Sequence, residues 1–244
     1  MSVDPALVRI GSCGFRRSRE VYYAQLRAIE VQHTFYDPPP ASTLEAWRAE
    51  APPDFEFTLK AWQLITHASS SPTYRRLKRT LSPEDRAETG SFRPSRIVLE
   101  AWEETRACAK ALGARTVLFQ CPARFRPTPL HIENMRHFFG TVERDGLNFC
   151  WEPRGDWPPD LVEELCEELD LWHTVDPFAQ QTVTPDRCYF RLHGIGGYQY
   201  TYRDDELRDL LDLLPEDRPS YVFFNNMTMI PDAVRFRGMM ESFK

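Results

Sequence analysis

Charged side chains stand near the ends of several short apolar runs of the sequence, where they could perform acid–base chemistry. The carboxylates are Glu30, Glu152 and Asp176, and the cations are Lys60, Arg154 and Arg191. His193 adds a group that titrates near neutral pH. A carboxylate can act as a general base, a lysine or histidine as a general acid, and an arginine can bind phosphate or carboxylate through two parallel hydrogen bonds. The set therefore predicts acid–base catalysis on a small anionic substrate.

The role of each catalytic candidate stays open at the level of sequence. Either Glu30 or Glu152 could be the base and either Lys60 or His193 the acid, with Asp176 as a further catalytic carboxylate. Hydrolase, lyase and isomerase reactions all fit such groups. The residues expected to bind substrate are the cations and amides at strand ends, namely Arg154, Arg191, Gln120, Asn225 and Asn226.

The elements that must position these residues are eight short runs rich in β-branched and aromatic residues. These predicted strands are 7–13, 28–35, 55–62, 116–121, 147–152, 171–175, 188–193 and 221–225. The predicted helices are 18–26, 42–51, 96–112, 130–144, 161–169, 204–214 and 232–240. Alternating strands and helices predict parallel strands with right-handed crossovers, and eight such units close into a (β/α)8, TIM-type barrel. We expect a single domain over 1–244, without a linker or second domain.

Two connections depart from the regular pattern. The segment after the sixth strand, 177–187, is too short and polar to predict a helix, so that βα unit is expected to be degenerate. The segment after the third strand, 63–95, is a long basic insertion that precedes its helix. Because βα loops form the active-site face of barrel enzymes, this insertion is expected to overhang the pocket.

The stretch from Tyr74 to Arg96, which covers the end of the insertion and the first residue of its helix, holds seven basic residues against three acidic ones. Arginines interleaved with Tyr74 and Phe92 could contact a nucleic-acid backbone and stack on its bases. A nucleic-acid-binding or endonuclease IV-like role is therefore an alternative to the small anionic ligand, although the net charge of −6 argues against a large footprint. A solvated charged face, and a non-catalytic ligand-binding or scaffold protein, are the remaining alternatives.

Alternation along the strands separates apolar from polar side chains. In the second strand Ile29 and Val31 oppose Glu30, and in the seventh Phe190 opposes Arg191. The apolar faces must pack on helices, so the polar faces point into the barrel. Buried charges must be paired or must face a ligand. Two interpretations follow: a closed ion-pair network that fixes the strands, or a functional site, and Arg191 in particular either binds a ligand or neutralises a buried carboxylate.

Six segments in order resemble the domain-of-unknown-function 72 (YecE-like) family. They are EVQHTFYDPP from Glu30, LKAWQLITH from Leu59, FQCPARF from Phe119, WEPRGDW from Trp151, FRLHG from Phe190 and FFNN from Phe223. The resemblance covers nearly the whole chain and implies a (β/α)8 barrel whose biochemical role family membership does not settle. It also implies a pocket that includes His67 as a substrate-binding residue. The chain departs from the family at Gly155, where a histidine is common, and in the tail MTMIPDAVRF.

Other motifs narrow the chemistry further. Gly194, in the glycine-rich turn after the seventh strand, is expected to bind substrate as an anion cradle. His67, Glu152, Asp176 and His193 could approach a divalent metal, but no HxH, HExxH or ExxH spacing occurs, so no metal or cofactor is predicted. Phosphate-binding loops and GxSxG elbows are also absent from the sequence.

Composition predicts a cytoplasmic protein without membrane contact, and it leaves the oligomeric state open. No apolar run approaches the roughly 18 residues that span a bilayer, and the first residues lack the pattern of a secretory signal. The six cysteines are scattered without CxxC spacing and are expected to be buried free thiols.

Overall fold

The computed structural model describes residues 3–242 and has eight parallel strands that form a closed barrel in chain order. The strands are β1 Val8–Cys13, β2 Ala28–Val31, β3 Glu56–Lys60, β4 Thr116–Gln120, β5 Asn148–Glu152, β6 Leu171–Val175, β7 Cys188–Leu192 and β8 Ser220–Phe224. The helices are α1 Arg19–Gln25, α2 His33–Tyr36, α3 Ala41–Glu50, α4 Gln63–Thr66, α5 Pro83–Ala87, α6 Arg96–Leu112, α7 Pro129–Thr141, α8 Pro159–Glu168, α9 Asp204–Asp212 and α10 Met229–Ser242. The predicted (β/α)8 class is confirmed, and the described segment 177–187 contains no helix, as expected.

Contacts divide the chain into two compact units. The first unit comprises Met1–Val31, Glu50–Phe57 and Trp172–Lys244, and the second comprises Gln32–Ala49 and Thr58–Leu171. In the first unit β1 pairs with β2 and β8, and β7 pairs with β6 and β8. In the second unit β4 pairs with β3 and β5. The prediction of one domain over 1–244 stays a prediction.

In the first unit, alternation along the strands sets which side chains form the interior. Tyr189 of β7 lies beside Tyr221 and Phe223 of β8, with ring centroids 5.4 and 5.3 Å apart. Gly11 of β1 faces the same interior, where a Cβ atom would lie only 2.1 Å from the carbonyl oxygen of Ala28. Glycine is therefore required at position 11 for β1 and β2 to approach each other.

The second unit is built around a cluster of aromatic rings between its strands and helices. Trp102 of α6 contacts Phe119 of β4 and Phe149 of β5, and all three side chains are buried. Helix α6 begins after Ser95, whose hydroxyl accepts a hydrogen bond from the Val98 amide. The helix ends at Leu112, and Gly113, which follows it, has a left-handed backbone conformation. Phe149 therefore points from β5 toward α6, on the helix side of the strand.

The structure corrects the prediction for the end of the second strand. Strand β2 ends at Val31, and residues 33–36 form the short helix α2 instead of continuing the strand to Phe35. The amide of Asp37 donates to the carbonyl of His33, which closes a helical turn. Alternate apolar residues over so short a run fit a helical turn as well as a strand, so the pattern alone could not separate them.

The aromatic side chains of the basic insertion are buried, whereas stacking on bases would need them exposed. It contains α4, a 3-10 turn at Pro72–Arg76 and α5. Phe92 is fully buried and packs within 5.5 Å of the Phe125 ring, while the Tyr74 hydroxyl donates to the His67 carbonyl. The prediction that Tyr74 and Phe92 offer a stacking surface for bases is therefore wrong. No helix within residues 3–242 is long and apolar enough to cross a membrane.

Candidate functional site

In the first unit, Glu30, a candidate general base, and Arg191, a predicted substrate-binding cation, form a buried bidentate ion pair. Arg191 Nε and Nη2 donate to the two Glu30 carboxylate oxygens at 3.0 and 2.9 Å. The Glu30 and Arg191 side chains are 0% and 1% exposed. In such a pair each charge is compensated by the other at a position that water does not reach. The geometry matches the structural interpretation of Arg191, in which it neutralises a buried carboxylate.

Two further groups contact this ion pair. The Tyr189 hydroxyl donates to Glu30 at 2.8 Å, and Arg191 Nη2 lies 3.6 Å from the sulfur of Cys13. Burial, with the Glu30 carboxylate next, raises the pKa of the Cys13 thiol well above its usual value. Cys13 is therefore a protonated, unreactive thiol at neutral pH.

The predicted catalytic carboxylate Asp176 lies beside His193 at the ends of β6 and β7. One Asp176 oxygen accepts the His193 backbone amide at 2.8 Å and lies 3.7 Å from His193 Nδ1, while the other accepts the Phe178 amide. His193 Nε2 lies 3.4 Å from Arg191 Nη1. The structure therefore joins Glu30, Arg191, His193 and Asp176 into one chain of contacts.

The remaining candidates of the first unit hold backbone turns. The Gly194 amide donates to the Tyr202 hydroxyl at 2.9 Å, and a Cβ at Gly194 would lie 2.3 Å from the Gly197 carbonyl oxygen. Asn226 donates to Tyr200 O, Thr228 Oγ1 and Asp232 Oδ2. The Asn225 amide donates to the Leu192 carbonyl. Binding of substrate by Gly194, Asn225 and Asn226 stays a prediction, and these contacts give each of them a role in the fold.

In the second unit, Glu152 and Arg154 form an ion pair at the end of β5. Arg154 Nε donates to Glu152 Oε1 at 2.8 Å. The side chain of Arg154 is 40% exposed, whereas that of Glu152 is 7% exposed. Gln120 ends β4 opposite Glu152 in the strand register. A partly exposed guanidinium can meet a ligand from solvent, which the buried guanidinium of Arg191 cannot do without moving.

Lys60 lies at the end of β3 against the ring of Phe35, the last residue of the longer second strand predicted from the sequence. Its ammonium nitrogen is 3.5 Å from the ring centroid, and its carbonyl accepts the Thr34 hydroxyl at 2.7 Å. The Lys60 residue is 5% exposed. The face of an aromatic ring attracts a cation and holds it in place. Sequence reasoning missed Phe35 because β2 was extended by four residues.

His67 is the third group of this cluster. Its Nδ1 lies 2.8 Å from Thr66 Oγ1, and its ring meets that of Phe35 edge to face at 4.9 Å. Burial lowers the pKa of His67 to about 3, with the Lys60 and Arg154 cations as further causes. His67 is therefore neutral at physiological pH and can donate or accept a hydrogen bond without charge. Thr66 was missed, although it directly precedes His67 in the segment that carried the resemblance.

The second unit thus assembles Lys60, Glu152 and Arg154 around neutral His67, which we call the Lys60 cluster. It brings together two cations, one carboxylate and one neutral imidazole. Across residues 3–242, no three His, Cys, Asp or Glu side chains come together in a way that could hold a metal ion.

The closed barrel, with its charged residues at strand ends, is that of a (β/α)8 barrel protein. The family described as "Protein of unknown function DUF72" matches residues 13–243, and the chain belongs to this family. The resemblance seen in the six segments is thereby confirmed. A comparison with curated proteins yields no match.

Solved structures share the fold. A DUF72 family protein from Enterococcus faecalis is 21% identical, with 96% of this chain and 98% of that chain covered and a TM-score of 0.71. A DUF72 family protein from Thermotoga maritima is 20% identical, with 96% and 99% covered and a TM-score of 0.66. A xylose isomerase domain containing protein from Salmonella typhimurium is 10% identical, with 100% and 98% covered and a TM-score of 0.61. At these identities the likeness extends to the fold alone.

Proposed function

We propose that this protein is an enzyme that binds a small phosphorylated or carboxylated substrate at the Lys60 cluster. The observation that carries the proposal is that the partly exposed Arg154, ion-paired with Glu152, lies near a buried, neutral His67, whose pKa both Lys60 and Arg154 lower. Concentrated positive charge of this kind favours an anionic ligand. Perturbed ionisable groups at strand ends of a barrel are typical of functional sites.

The roles follow from burial and pairing. Glu152 is the proposed general base, since its carboxylate lies beside the partly exposed Arg154. Glu30 is a weaker candidate because its carboxylate is fully buried and held by Arg191. Lys60 is the proposed general acid, and neutral His67 a hydrogen-bonding group for the substrate. Proton transfer of this kind serves a hydrolase, a lyase or an isomerase alike.

A thermal-shift screen against phosphosugars and carboxylates tests the proposal. We expect compounds of one class to raise the melting temperature, and Arg154→Gln to remove most of that increase. Arg208→Gln is the matched control, because Arg208 is an exposed arginine on α9, outside the cluster. Stabilising compounds are then incubated with the protein and followed by NMR, where Glu152→Gln should keep binding and lose turnover. Equal responses of the Arg154 and Arg208 variants would overturn the assignment.

Nucleic-acid binding is the second candidate. Its supporting observation is that Arg75, Arg76, Lys78 and Arg79 are all exposed on the basic insertion. Arg76 lies over the ring of Tyr36 at 3.5 Å, whereas Arg96 is held by Asp85 and Glu100. Exposed cations bind a phosphate backbone without base specificity. Short single- and double-stranded oligonucleotides in the same screen, with the four residues changed to glutamine, test this role.

We also propose that the protein acts in the cytoplasm. All six cysteines are buried free thiols, which suits a reducing compartment.

If neither small anions nor oligonucleotides raise the melting temperature, and elemental analysis finds no bound metal, the results would favour a non-catalytic scaffold.

A further inference from the structure

A pocket opens in the second unit between the loops that follow β3 and β4, and its lining adjoins the Lys60 cluster at Thr66, which contacts His67. It has a volume of about 460 Å³ and is lined by parts of 66–72, Ser91, residues 122–125 and His131. This volume lies within the range of about 300–1,000 Å³ typical of small-molecule sites. The loops after barrel strands are the usual place for such sites.

The charge in this pocket has one sign. Arg124 is the only lysine or arginine that lines it, and no acidic side chain of residues 3–242 does so. The Arg124 side chain is exposed, and its guanidinium has no hydrogen-bond or ion-pair partner among those residues. In a chain of net charge −6, a pocket without carboxylates favours an anion.

Serine residues are also part of the pocket lining. Ser70 and Ser91 both line the pocket. Ser91 is held in a turn in which Gly90, Ser91 and Phe92 all have positive φ, at 82°, 54° and 52°. The three amides donate to the carbonyls of α4, and Asn134 donates to the Ser91 carbonyl. A bulky residue such as Phe92 adopts this backbone only when surrounding contacts enforce it, so Ser91 is rigidly placed.

A stacked pair of aromatic rings also belongs to the pocket lining. The rings of Phe125 and His131 stack with centroids 4.6 Å apart and an interplanar angle of 28°. His131 Nδ1 lies 2.8 Å from the Arg126 carbonyl oxygen, which can only accept, so this nitrogen carries the proton. Trp157 Nε1 donates to the Phe125 carbonyl at 2.9 Å. Both rings are thus fixed before any ligand arrives.

We propose that this pocket binds a phosphomonoester of a small molecule. A terminal phosphate has three oxygens that need donors, and Arg124 with Ser70 and Ser91 can supply them. The half-buried ring of His131, stacked on buried Phe125, meets the rest of the molecule. Arg124 lies in the segment FQCPARF, of which sequence reasoning selected only Gln120. Binding here does not require the chemistry proposed for the Lys60 cluster, so the two proposals can fail separately.

The test follows the ring resonances of His131 by NMR in the full chain during titration with ribose 5-phosphate. We expect saturable shifts with the phosphorylated sugar and none with ribose at equal concentration. Arg124→Gln should weaken binding about tenfold or more, because it removes charge-assisted hydrogen bonds, and Arg124→Lys should recover part of the loss. Ser70→Ala should weaken binding about threefold.

Arg126→Gln is the matched control, because Arg126 is a neighbouring exposed arginine outside the pocket lining. It should bind like the wild type, and both arginine variants should keep the wild-type melting temperature. Equal loss of affinity in the two variants, equal shifts with ribose and its phosphate, or no His131 shift at about 10 mM ligand would each overturn the proposal.

Discussion

Replacing Arg191 with methionine should lower the free energy of unfolding by about 3 to 5 kcal/mol, which is the usual cost of removing one partner of a buried ion pair. Arg191 gives Glu30 two charge-assisted hydrogen bonds, at 2.9 and 3.0 Å, and the side chains are 1% and 0% exposed. Methionine preserves much of the side-chain length but leaves the Glu30 carboxylate without this cation. Since domains are stable by only about 5 to 15 kcal/mol, the loss would be a large fraction of the total.

Urea denaturation followed by circular dichroism measures this change. Arg208→Met on α9 is the control, and as a surface change it should stay within about 0.5 kcal/mol of the wild type. The double variant Glu30→Gln with Arg191→Met should be more stable than Arg191→Met alone, because it removes the buried charge together with its partner. That recovery identifies the ion pair, rather than lost packing, as the cause.

A different result would return Arg191 to the ligand-binding role. In that case Arg191→Met would be as stable as Arg208→Met, and the stabilisation of the wild type by phosphate or sulfate would disappear in the variant. The same experiment therefore separates the two interpretations of Arg191 that the sequence left open.

Two further predictions concern the loops of the second unit. The pKa of His67 is about 3 in the folded protein against 6.5 ordinarily, so below pH 6.5 the unfolded chain gains a proton that the folded chain does not. Stability should therefore fall by about 2 kcal/mol between pH 7 and pH 5 through this residue, and His67→Gln should remove that part of the slope in denaturation curves; an unchanged slope would refute the assignment. Gly90→Ala should cost about 3 kcal/mol, because φ is +82° and a Cβ would lie 2.4 Å from the Ala68 nitrogen. Gly140→Ala, with nothing within 4 Å on α7, should be neutral or stabilising in the same melts, and equal effects at both positions would contradict the argument.

The fold could be predicted from sequence because the signals for it are periodic and repeated. Strand β6 and helix α6 have the predicted bounds, Leu171–Val175 and Arg96–Leu112. The inward direction of Arg191 also followed from alternation, and its contact with Glu30 confirms it. Because eight strand–helix units indicate the same fold, a wrong boundary in one strand or helix does not change the predicted fold class.

The site could be predicted only in its residue types. Arg191 and Glu30 were singled out, but whether the guanidinium served a ligand or a carboxylate depends on distances that alternation does not contain. Phe35 against Lys60 was missed because a four-residue helix replaced the expected strand end. Phe92 appeared exposed because its neighbours in sequence are polar, whereas its ring lies among aromatic residues remote in sequence.

The turn at Gly90, Ser91 and Phe92 has a consequence for how the chain can vary in length. It ties the far end of the basic insertion to α4, through the carbonyls of Leu64, Ile65 and Thr66. The insertion is therefore a loop segment whose two ends are held together at α4. Residues between those ends can be added or removed at small entropic cost. Ser91 and the ring of Phe92, which lie in the turn, would keep their positions.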